Sequence, residues 1–295
     1  MTHSPTAKLA PLRPGPVALQ DSMAPDLFIP DQLPRDPALR RCTHLAIGAH
    51  ADDLEIMAYH GIAACYQHPE LWFGGIVVTD GASSPRSGPY AAYTDEAIQQ
   101  CRLKEQRQAA QLGQYGFVSQ LGLSSEQVRN HKPGQPNPLR ELMLAVAPDV
   151  LYLHNPADKH ETHVAVLKLA LDALRSLKPI EQPRYVYGCE VWRDLDWLPD
   201  DKKIALDCSP HPELAAALLA CFDSQIQGGK RYDLGTLGRR QANATYSHPR
   251  RVDTLQSVTW AMDLSPLLNP GLSLHDFMEA QLNRFREEVL QTLAM

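Results

Sequence analysis

Short apolar runs alternate along the chain with longer segments in which apolar residues recur at helical spacing. The runs at 45–49, 73–79 and 149–154 predict strands that are buried on both faces, because such strands lack polar alternation. Weaker strand patterns lie at 117–121, 185–192 and 203–207, and helical patterns at 53–67, 94–114, 138–147, 164–174, 212–225 and 274–293. Strands that alternate with helices predict an α/β fold, with a mostly parallel sheet flanked by helices.

Proline is concentrated near the N-terminus, where eight of the 24 prolines lie at or before Pro37. Proline removes a backbone donor and fixes φ, so this stretch cannot form a central strand or a long helix. We predict an extended, proline-rich arm over residues 1–36, with a short apolar anchor at 27–29. A single domain over residues 37–295 follows it, with its first element near Thr43.

Composition and charge argue against several classes of protein. The 295 residues carry a net charge of −6 and no basic stripe, which argues against a nucleic-acid partner. No apolar run approaches the roughly eighteen residues of a membrane span, and the N-terminal sequence lacks the pattern of a signal peptide. The six cysteines form no C-x-x-C pair, which excludes a zinc ribbon and predicts a reduced, cytoplasmic chain.

Polar clusters follow two of the predicted buried strands, at the turns into the next helices. The first reads Gly48-Ala49-His50-Ala51-Asp52-Asp53-Leu54-Glu55, and the second reads His154-Asn155-Pro156-Ala157-Asp158-Lys159-His160-Glu161-Thr162-His163. The carboxyl ends of parallel strands meet at one edge of a sheet, so we expect the two clusters to converge although they lie far apart along the chain.

Convergence would create a donor set suited to catalytic zinc, with two imidazoles, one carboxylate and one position open for water. The candidate ligands are His50, Asp53 and His163. Asp52 lies beside them and is a candidate general base. His160 precedes His163 by about one helical turn and is a candidate acid or oxyanion donor, with Asp158 as a candidate for holding its tautomer.

Other interpretations stay open for the same residues. The acidic residues of each cluster can cap the helix that follows, and an isolated histidine is most often a surface or hydrogen-bonded residue. The chain lacks G-x-G-x-x-G after the first strand, G-x-x-x-x-G-K-[ST] and G-x-S-x-G, which disfavours a nucleotide-binding protein and a serine hydrolase. His160 and His163 are three positions apart rather than four, so they do not form H-E-x-x-H.

The two clusters resemble motifs of the PIG-L / LmbE-like family of zinc-dependent N-deacetylases. The family signature A-H-[PA]-D-D-x-E reads Ala49-His50-Ala51-Asp52-Asp53-Leu54-Glu55 here, and the later H-x-x-H reads His160-Glu161-Thr162-His163. A third motif, R-x-x-E before a small-residue helix that ends in Leu-Gly, reads Arg102-Leu103-Lys104-Glu105 and then Ala109-Ala110-Gln111-Leu112-Gly113. The resemblance runs from about Leu45 to Leu174 and implies a Rossmann-like, LmbE-like fold.

The resemblance also implies a role for each site residue. His50, Asp53 and His163 would bind zinc, Asp52 would be the general base, His160 the acid and oxyanion partner, Asp158 its support, and Arg102 a substrate contact. An ion pair with Glu105, on the same helix, is the alternative for Arg102. The sequence departs from the commoner family pattern at Ala51, at Glu161-Thr162 and after the second strand at 79–82.

With these residues, the resemblance implies a zinc-dependent hydrolase that removes the acetyl group from an N-acetylglucosamine-type sugar or its conjugate and releases acetate. Fe²⁺ or Co²⁺ fits the same ligands. The alternatives are a zinc amidase that acts on a larger N-acyl or thiol conjugate and a non-catalytic sugar- or metal-binding protein of the same fold. In the loop 81–93, Tyr90 and Tyr93 are candidates for stacking on a sugar. We expect a small-molecule substrate, and the arm and the resemblance predict a homo-oligomer.

Overall fold

The computed structural model describes residues 26–84 and 86–295, and a mixed sheet of eight strands organises them. The strands are β1 (Asp26–Phe28), β2 (His44–Gly48), β3 (Phe73–Thr79), β4 (Phe117–Leu123), β5 (Val150–His154), β6 (Tyr185–Cys189), β7 (Ile204–Asp207) and β8 (Val258–Asp263). They lie side by side in the order β1-β4-β3-β2-β5-β6-β8-β7. The central strands β4, β3, β2, β5 and β6 run parallel, whereas β1, β8 and β7 are antiparallel to their neighbours.

Helices connect and flank these strands. They are α1 (Arg35–Arg40), α2 (Asp53–Met57), α3 (Tyr59–Cys65), α4 (Asp95–Leu112), α5 (Ser125–Arg129), α6 (Pro138–Val146), α7 (Glu161–Arg175), α8 (Pro212–Ala220), α9 (Asp223–Ile226), α10 (Tyr232–Thr245) and α11 (Leu274–Leu293). Across 26–84 and 86–295, no helix combines the length and the apolar composition that a membrane span needs. The predicted α/β fold with a mostly parallel sheet flanked by helices is confirmed.

The strand order reverses between β2 and β5. From β2 the chain moves outward through β3 to β4, and it then returns to β5 on the other side of β2 and continues to β6. Every residue of β2, β3 and β5 is buried, as the continuous apolar runs predict. A reversal of this kind opens a crevice at the carboxyl ends of the two strands, and α/β proteins bind ligands in such crevices.

The helix predicted over 53–67 is interrupted, and α2 and α3 meet at Ala58. Arg240, a fully buried residue of α10, donates hydrogen bonds from Nη2 to the carbonyl oxygens of Glu55 (2.7 Å) and Ile56 (3.0 Å) at this point. The two carbonyls therefore find their partner outside the helix. The sequence did not predict α10 itself, because Gly235 and Gly238 weaken its helical pattern.

Secondary structure begins earlier than Thr43, where the sequence analysis expected it. β1 pairs with β4 at the edge of the sheet, with Asp26 opposite Gln120, and α1 follows. An edge strand agrees with the proline pattern, which is incompatible with a central strand. Residues 1–25 of the predicted arm lie outside the described residues, and the division of the chain into 1–36 and 37–295 stays a prediction.

Candidate functional site

The turn after β2 carries two acidic residues to the edge of the sheet. Gly48 ends the strand, and a Cβ atom there would lie 2.9 Å from Cβ of Asp53, so glycine permits the close approach of α2. Asp52 adopts a left-handed backbone conformation (φ 85°), which is strained for a residue other than glycine and is common at functional sites. The Asp52 carboxylate makes no capping hydrogen bond, so helix capping does not explain it.

The turn after β5 supplies the second cluster. His160 is the N-cap residue of α7, and its Nδ1 accepts a hydrogen bond from the backbone N–H of Thr162 (3.3 Å). His163 is fully buried in the first turn of the helix. The rings of His160 and His163 stack with centroids 4.5 Å apart, and both contact the ring of His50. The structure therefore brings the two clusters together.

Three donor atoms from these clusters form a compact triangle. Nδ1 of His50 and Nε2 of His163 are 3.1 Å apart, and each lies 3.4 Å from Oδ2 of Asp53. Bonds of about 2.0–2.1 Å to a tetrahedral Zn²⁺ put ligand atoms about 3.4 Å apart. Two imidazoles and a carboxylate at this spacing fit a divalent transition metal.

A further histidine, His154, lies against the triangle, and the sequence analysis gave it no role. Its buried ring stacks on His163 with centroids 3.9 Å apart, and its Nε2 lies 3.4 Å from Oδ2 of Asp53. That Nε2 accepts a hydrogen bond from the backbone N–H of Ala49 (2.9 Å), so its lone pair is already engaged. His50 is therefore the better third donor.

The protonation states of Asp53 and His163 suit metal binding. Burial by itself would raise the pKa of Asp53, but His163 and then His154 lower it well below its usual value. Burial lowers the pKa of His163 to about 4, so its ring is neutral near neutral pH. An ionised carboxylate and a neutral imidazole are the forms that bind metal ions.

Asp158 contacts the ring of His163 and not the ring of His160, which the sequence analysis expected it to hold. Its Oδ2 lies 3.4 Å from Nδ1 of His163 and accepts a hydrogen bond from the backbone N–H of Trp192 (3.1 Å). Its Oδ1 accepts from the backbone N–H of His160 (2.9 Å), whose ring turns back to cap α7. A carboxylate on the second nitrogen of a metal-binding imidazole fixes its orientation.

Asp52 is a buried carboxylate with an unpartnered oxygen. Within the described residues, no hydrogen-bond partner reaches its Oδ2. Burial and the charges of Asp53 and Glu55 raise the pKa of Asp52 well above its usual value. Gln106 supports the strained turn, because its Oε1 accepts from the backbone N–H of Asp52 (3.4 Å) and its Nε2 donates to Oε1 of Glu55 (2.9 Å).

Arg102 does not form the ion pair with Glu105 that was its alternative role. Its Nη1 donates to the carbonyl oxygen of Gly81 (2.5 Å) and to the hydroxyl of Ser84, at the start of the loop after β3. Glu105 instead accepts hydrogen bonds from the backbone N–H (2.7 Å) and the hydroxyl (2.6 Å) of Ser224 in α9. Arg102 therefore ties this loop to α4.

The short helix α9 also joins that loop to the turn after β2. The hydroxyl of Tyr90 donates to Oδ2 of Asp223 (2.6 Å), which docks the loop on α9. Gln225 donates from Nε2 to the carbonyl oxygen of Ala51, next to Asp52. Tyr90, a candidate for sugar stacking, thus has a structural contact of its own.

Two aromatic side chains outside the sequence motifs form a wall beside His160. Trp192, which follows β6, has its ring centroid 6.0 Å from that of His160, and Tyr232 of α10 packs edge-on against Trp192 at 6.1 Å. Burial raises the pKa of Tyr232, and the charges of Asp52 and Asp53 add to this shift. The sequence feature that points to Trp192 as a site residue is its position at the carboxyl end of a predicted strand.

Comparison with known proteins identifies the fold and a family. Three solved structures share the architecture at TM-scores of 0.60, 0.55 and 0.53 and sequence identities of 18%, 16% and 13%. They are the conserved protein TT1542 from Thermus thermophilus (76% of this chain, 95% of that one), the 4-carboxy-2-hydroxymuconate hydratase GalB from Pseudomonas putida (76% and 97%), and the N,N'-diacetylchitobiose deacetylase from Pyrococcus horikoshii (75% and 82%). At these identities the structures support the fold alone.

The comparisons by sequence cover a smaller part of the chain than the comparisons by structure. No curated protein sequence matches this chain. Residues 45–174 match the family model described as PIG-L: GlcNAc-PI de-N-acetylase, and this segment contains both polar clusters and the motif around Arg102. The resemblance seen in the motifs is therefore confirmed as a match of residues 45–174 to the PIG-L (LmbE-like) family model.

Proposed function

We propose that this chain is a metal-dependent amide hydrolase that removes the acetyl group from an N-acetylglucosamine-type sugar or its conjugate and releases acetate. One observation carries the proposal: donor atoms of His50, Asp53 and His163 lie 3.1–3.4 Å apart, next to a buried carboxylate with an unpartnered oxygen. The family match over residues 45–174 supports a deacetylase. Zn²⁺ suits this donor set well, and Fe²⁺ and Co²⁺ take the same ligands.

The three donors would hold the metal, and Asp158 would fix the ring of His163 through its Nδ1. A bound divalent ion polarises an acyl carbonyl and lowers the pKa of water from about 16 to about 7.

Asp52 is the proposed general base. Its unpartnered Oδ2 takes the proton from the water that attacks the acyl carbon. The same carboxyl group then gives the proton to the amide nitrogen as the carbon–nitrogen bond breaks. Acetate and a free amine leave, and no second proton donor is required.

His160 is the proposed donor to the developing oxyanion. Because its Nδ1 accepts from the backbone N–H of Thr162, its Nε2 carries the proton in the neutral ring. Burial and then the charge of His50 lower the pKa of His160, which favours this neutral form. We therefore propose that His160 donates a hydrogen bond from Nε2. Asp52, and not His160, is therefore the proposed acid that protonates the leaving amine.

Arg102 is a proposed substrate contact at the rim of the site. Its side chain is buried, and its hydrogen bonds to Gly81 and Ser84 hold the start of the loop after β3 close to Asp52. Burial lowers the pKa of Arg102, and the negative charge of Asp52 opposes this shift. We propose that Arg102 orients both this loop and the sugar next to the base.

The test combines metal analysis with acetate release by the zinc-loaded protein. Asp52→Asn should keep the metal and lose about 10²- to 10⁴-fold in turnover, since it removes the base alone. His50→Ala should lose the metal, and Asp253→Asn, at an exposed position, is the matched control that should resemble the unmodified protein. Full activity of Asp52→Asn would exclude Asp52 as the base.

A substrate panel separates the proposal from its alternatives. It should contain N-acetylated sugars, the same sugars with longer acyl groups, and thiol conjugates. Preference for a longer acyl group or a thiol conjugate would favour the broader amidase. Zinc binding without cleavage of any panel member would favour a non-catalytic binding protein. The homo-oligomer and the cytoplasmic location expected from the sequence stay predictions.

A further inference from the structure

We propose that a small cavity behind Trp192 binds an anionic oxygen group, a phosphate or a carboxylate, on the part of the substrate that lies away from the scissile amide. The inference rests on the proposed deacetylase function and adds the charge of the substrate to it. The cavity has a volume of about 150 Å³, enough for several water molecules and therefore for one such group. Its lining includes Ile56, Trp192, Arg231, Tyr232, Thr236 and Arg239.

The lining carries positive charge, of which Arg239 supplies the part that no carboxylate pairs with in the described residues. Two arginines contribute to it, and no acidic residue does. Arg231 is held by Asp233 through two hydrogen bonds of 2.9 Å and 2.7 Å. Nη1 of Arg239 donates a hydrogen bond to the carbonyl oxygen of Val191. In the described part of the chain, Arg239 forms no ion pair. Its remaining N–H groups are therefore available to a ligand.

A third cation lies against Trp192, one of the residues that line the cavity. Nζ of Lys230 is 5.0 Å from the centroid of the Trp192 ring, and across 26–84 and 86–295 this lysine also has no carboxylate partner. Lysine and arginine charges that lack counterions attract anions, and the planar guanidinium matches the oxygens of a carboxylate or phosphate. A neutral ligand would leave these cations unpaired.

The cavity adjoins the reacting groups. The backbone N–H of Trp192 donates to Asp158, which contacts His163, and the ring of Trp192 lies 6.0 Å from that of His160. Ile56 lines the cavity three residues after Asp53, about 5 Å farther along the helix axis. A sugar whose acetamide reaches the donor triangle can thus pack on Trp192 and extend a charged substituent into the cavity.

The test uses three glycosides of N-acetylglucosamine that differ in one substituent: the neutral methyl glycoside, the carboxymethyl glycoside and the 1-phosphate. Binding to the metal-free, full-length protein is measured by calorimetry, which does not depend on turnover. At least one anionic glycoside should bind about 10- to 100-fold more tightly than the methyl glycoside. The tighter of the two identifies the natural group as carboxylate or phosphate.

Lys230→Met and Arg239→Met should remove most of this preference and change binding of the methyl glycoside less than about twofold. Lys230 is exposed, so its substitution tests the charge without disturbing the fold, and Arg239→Lys should restore part of what Arg239→Met loses. Arg286→Met, at an exposed position on α11, is the matched control and should keep the full preference.

Each outcome decides one of the two proposals. Equal binding of the three glycosides, or equal weakening of all three by the variants, would overturn the anion site even if acetate release proceeds. An anionic preference that the variants abolish, without acetate release from any glycoside, would support the anion site and refute the deacetylase. If no glycoside binds, inorganic phosphate decides: binding that Arg239→Met abolishes supports the site, and no binding overturns it.

Discussion

Glu55 lies fully buried behind the reacting groups, and its replacement by glutamine should stabilise the protein at alkaline pH but not at acidic pH. Oε1 of Glu55 accepts hydrogen bonds from Gln106 (2.9 Å) and from the hydroxyl of Tyr115 (2.8 Å). Oε2 has no partner within the described residues. Burial raises the pKa of Glu55 from its ordinary 4.5 to about 7, and the two hydrogen bonds oppose this shift.

The size of the effect follows from the two pKa values. A carboxyl group with a raised pKa in the folded state binds its proton more tightly when folded. The protein therefore keeps its full stability below pH 4.5 and loses stability as the pH rises to about 7. At about 1.4 kcal/mol per pH unit, the loss is about 3 kcal/mol at pH 8 and below about 1 kcal/mol at pH 5.

Glutamine resembles the protonated carboxyl group. It keeps the acceptor for Gln106 and Tyr115, and its amide replaces an oxygen that has no partner among the described residues. In urea unfolding of the metal-free protein, Glu55→Gln should thus gain about 3 kcal/mol over the unmodified protein at pH 8 and little at pH 5. Glu70→Gln, at an exposed position, is the control. A difference between Glu55→Gln and the unmodified protein that is the same at both pH values would refute the reasoning.

Three further predictions concern the metal and the loop after β3. Asp158→Asn should weaken zinc binding about 10- to 100-fold in a competition with a chelating dye, whereas the exposed control Glu161→Gln should not. Zinc at 100 times its dissociation constant should stabilise the protein by about 2.7 kcal/mol in thermal unfolding, and His50→Ala should abolish this gain. Ser224→Ala removes the hydroxyl donor to Glu105 and should cost about 1–2 kcal/mol in urea unfolding, with faster proteolysis of the loop after β3; unchanged stability and cleavage would contradict the contact.

The sequence predicted the centre of the fold well because its signals there are local and strong. β2, β3 and β5 are mostly apolar, with a polar residue at one end of each, so their burial follows largely from composition. The break between α2 and α3 was not predictable in this way. It coincides with hydrogen bonds from Arg240, which lies far along the chain, and no pattern within 53–67 records that contact.

The site shows the same division between local and distant signals. Spacing along the chain brought His50, Asp53 and His163 into one hypothesis, and the structure brings their donor atoms together. The partner of Asp158 depended on the ring orientation of His160, which the capping of α7 determines and the sequence does not show. Trp192 was not predicted as a site residue because it lies beyond the last motif, and the sequence there contains no further motif whose spacing indicates a site.

The helix α9 lies outside the segment that matches the family model, but it contacts residues close to the proposed reacting groups. Ser224 donates a hydrogen bond to Glu105 and Gln225 donates one to the carbonyl oxygen of Ala51, so a segment beyond residue 174 supports the segment that matches the family model. The proposed reacting groups lie within the matched segment, whereas Trp192 and the cationic cavity lie almost entirely outside it. If the proposed roles hold, substitutions beyond residue 174 would change the substrate while the proposed hydrolytic groups stay the same, and related chains would share the reaction without sharing the specificity.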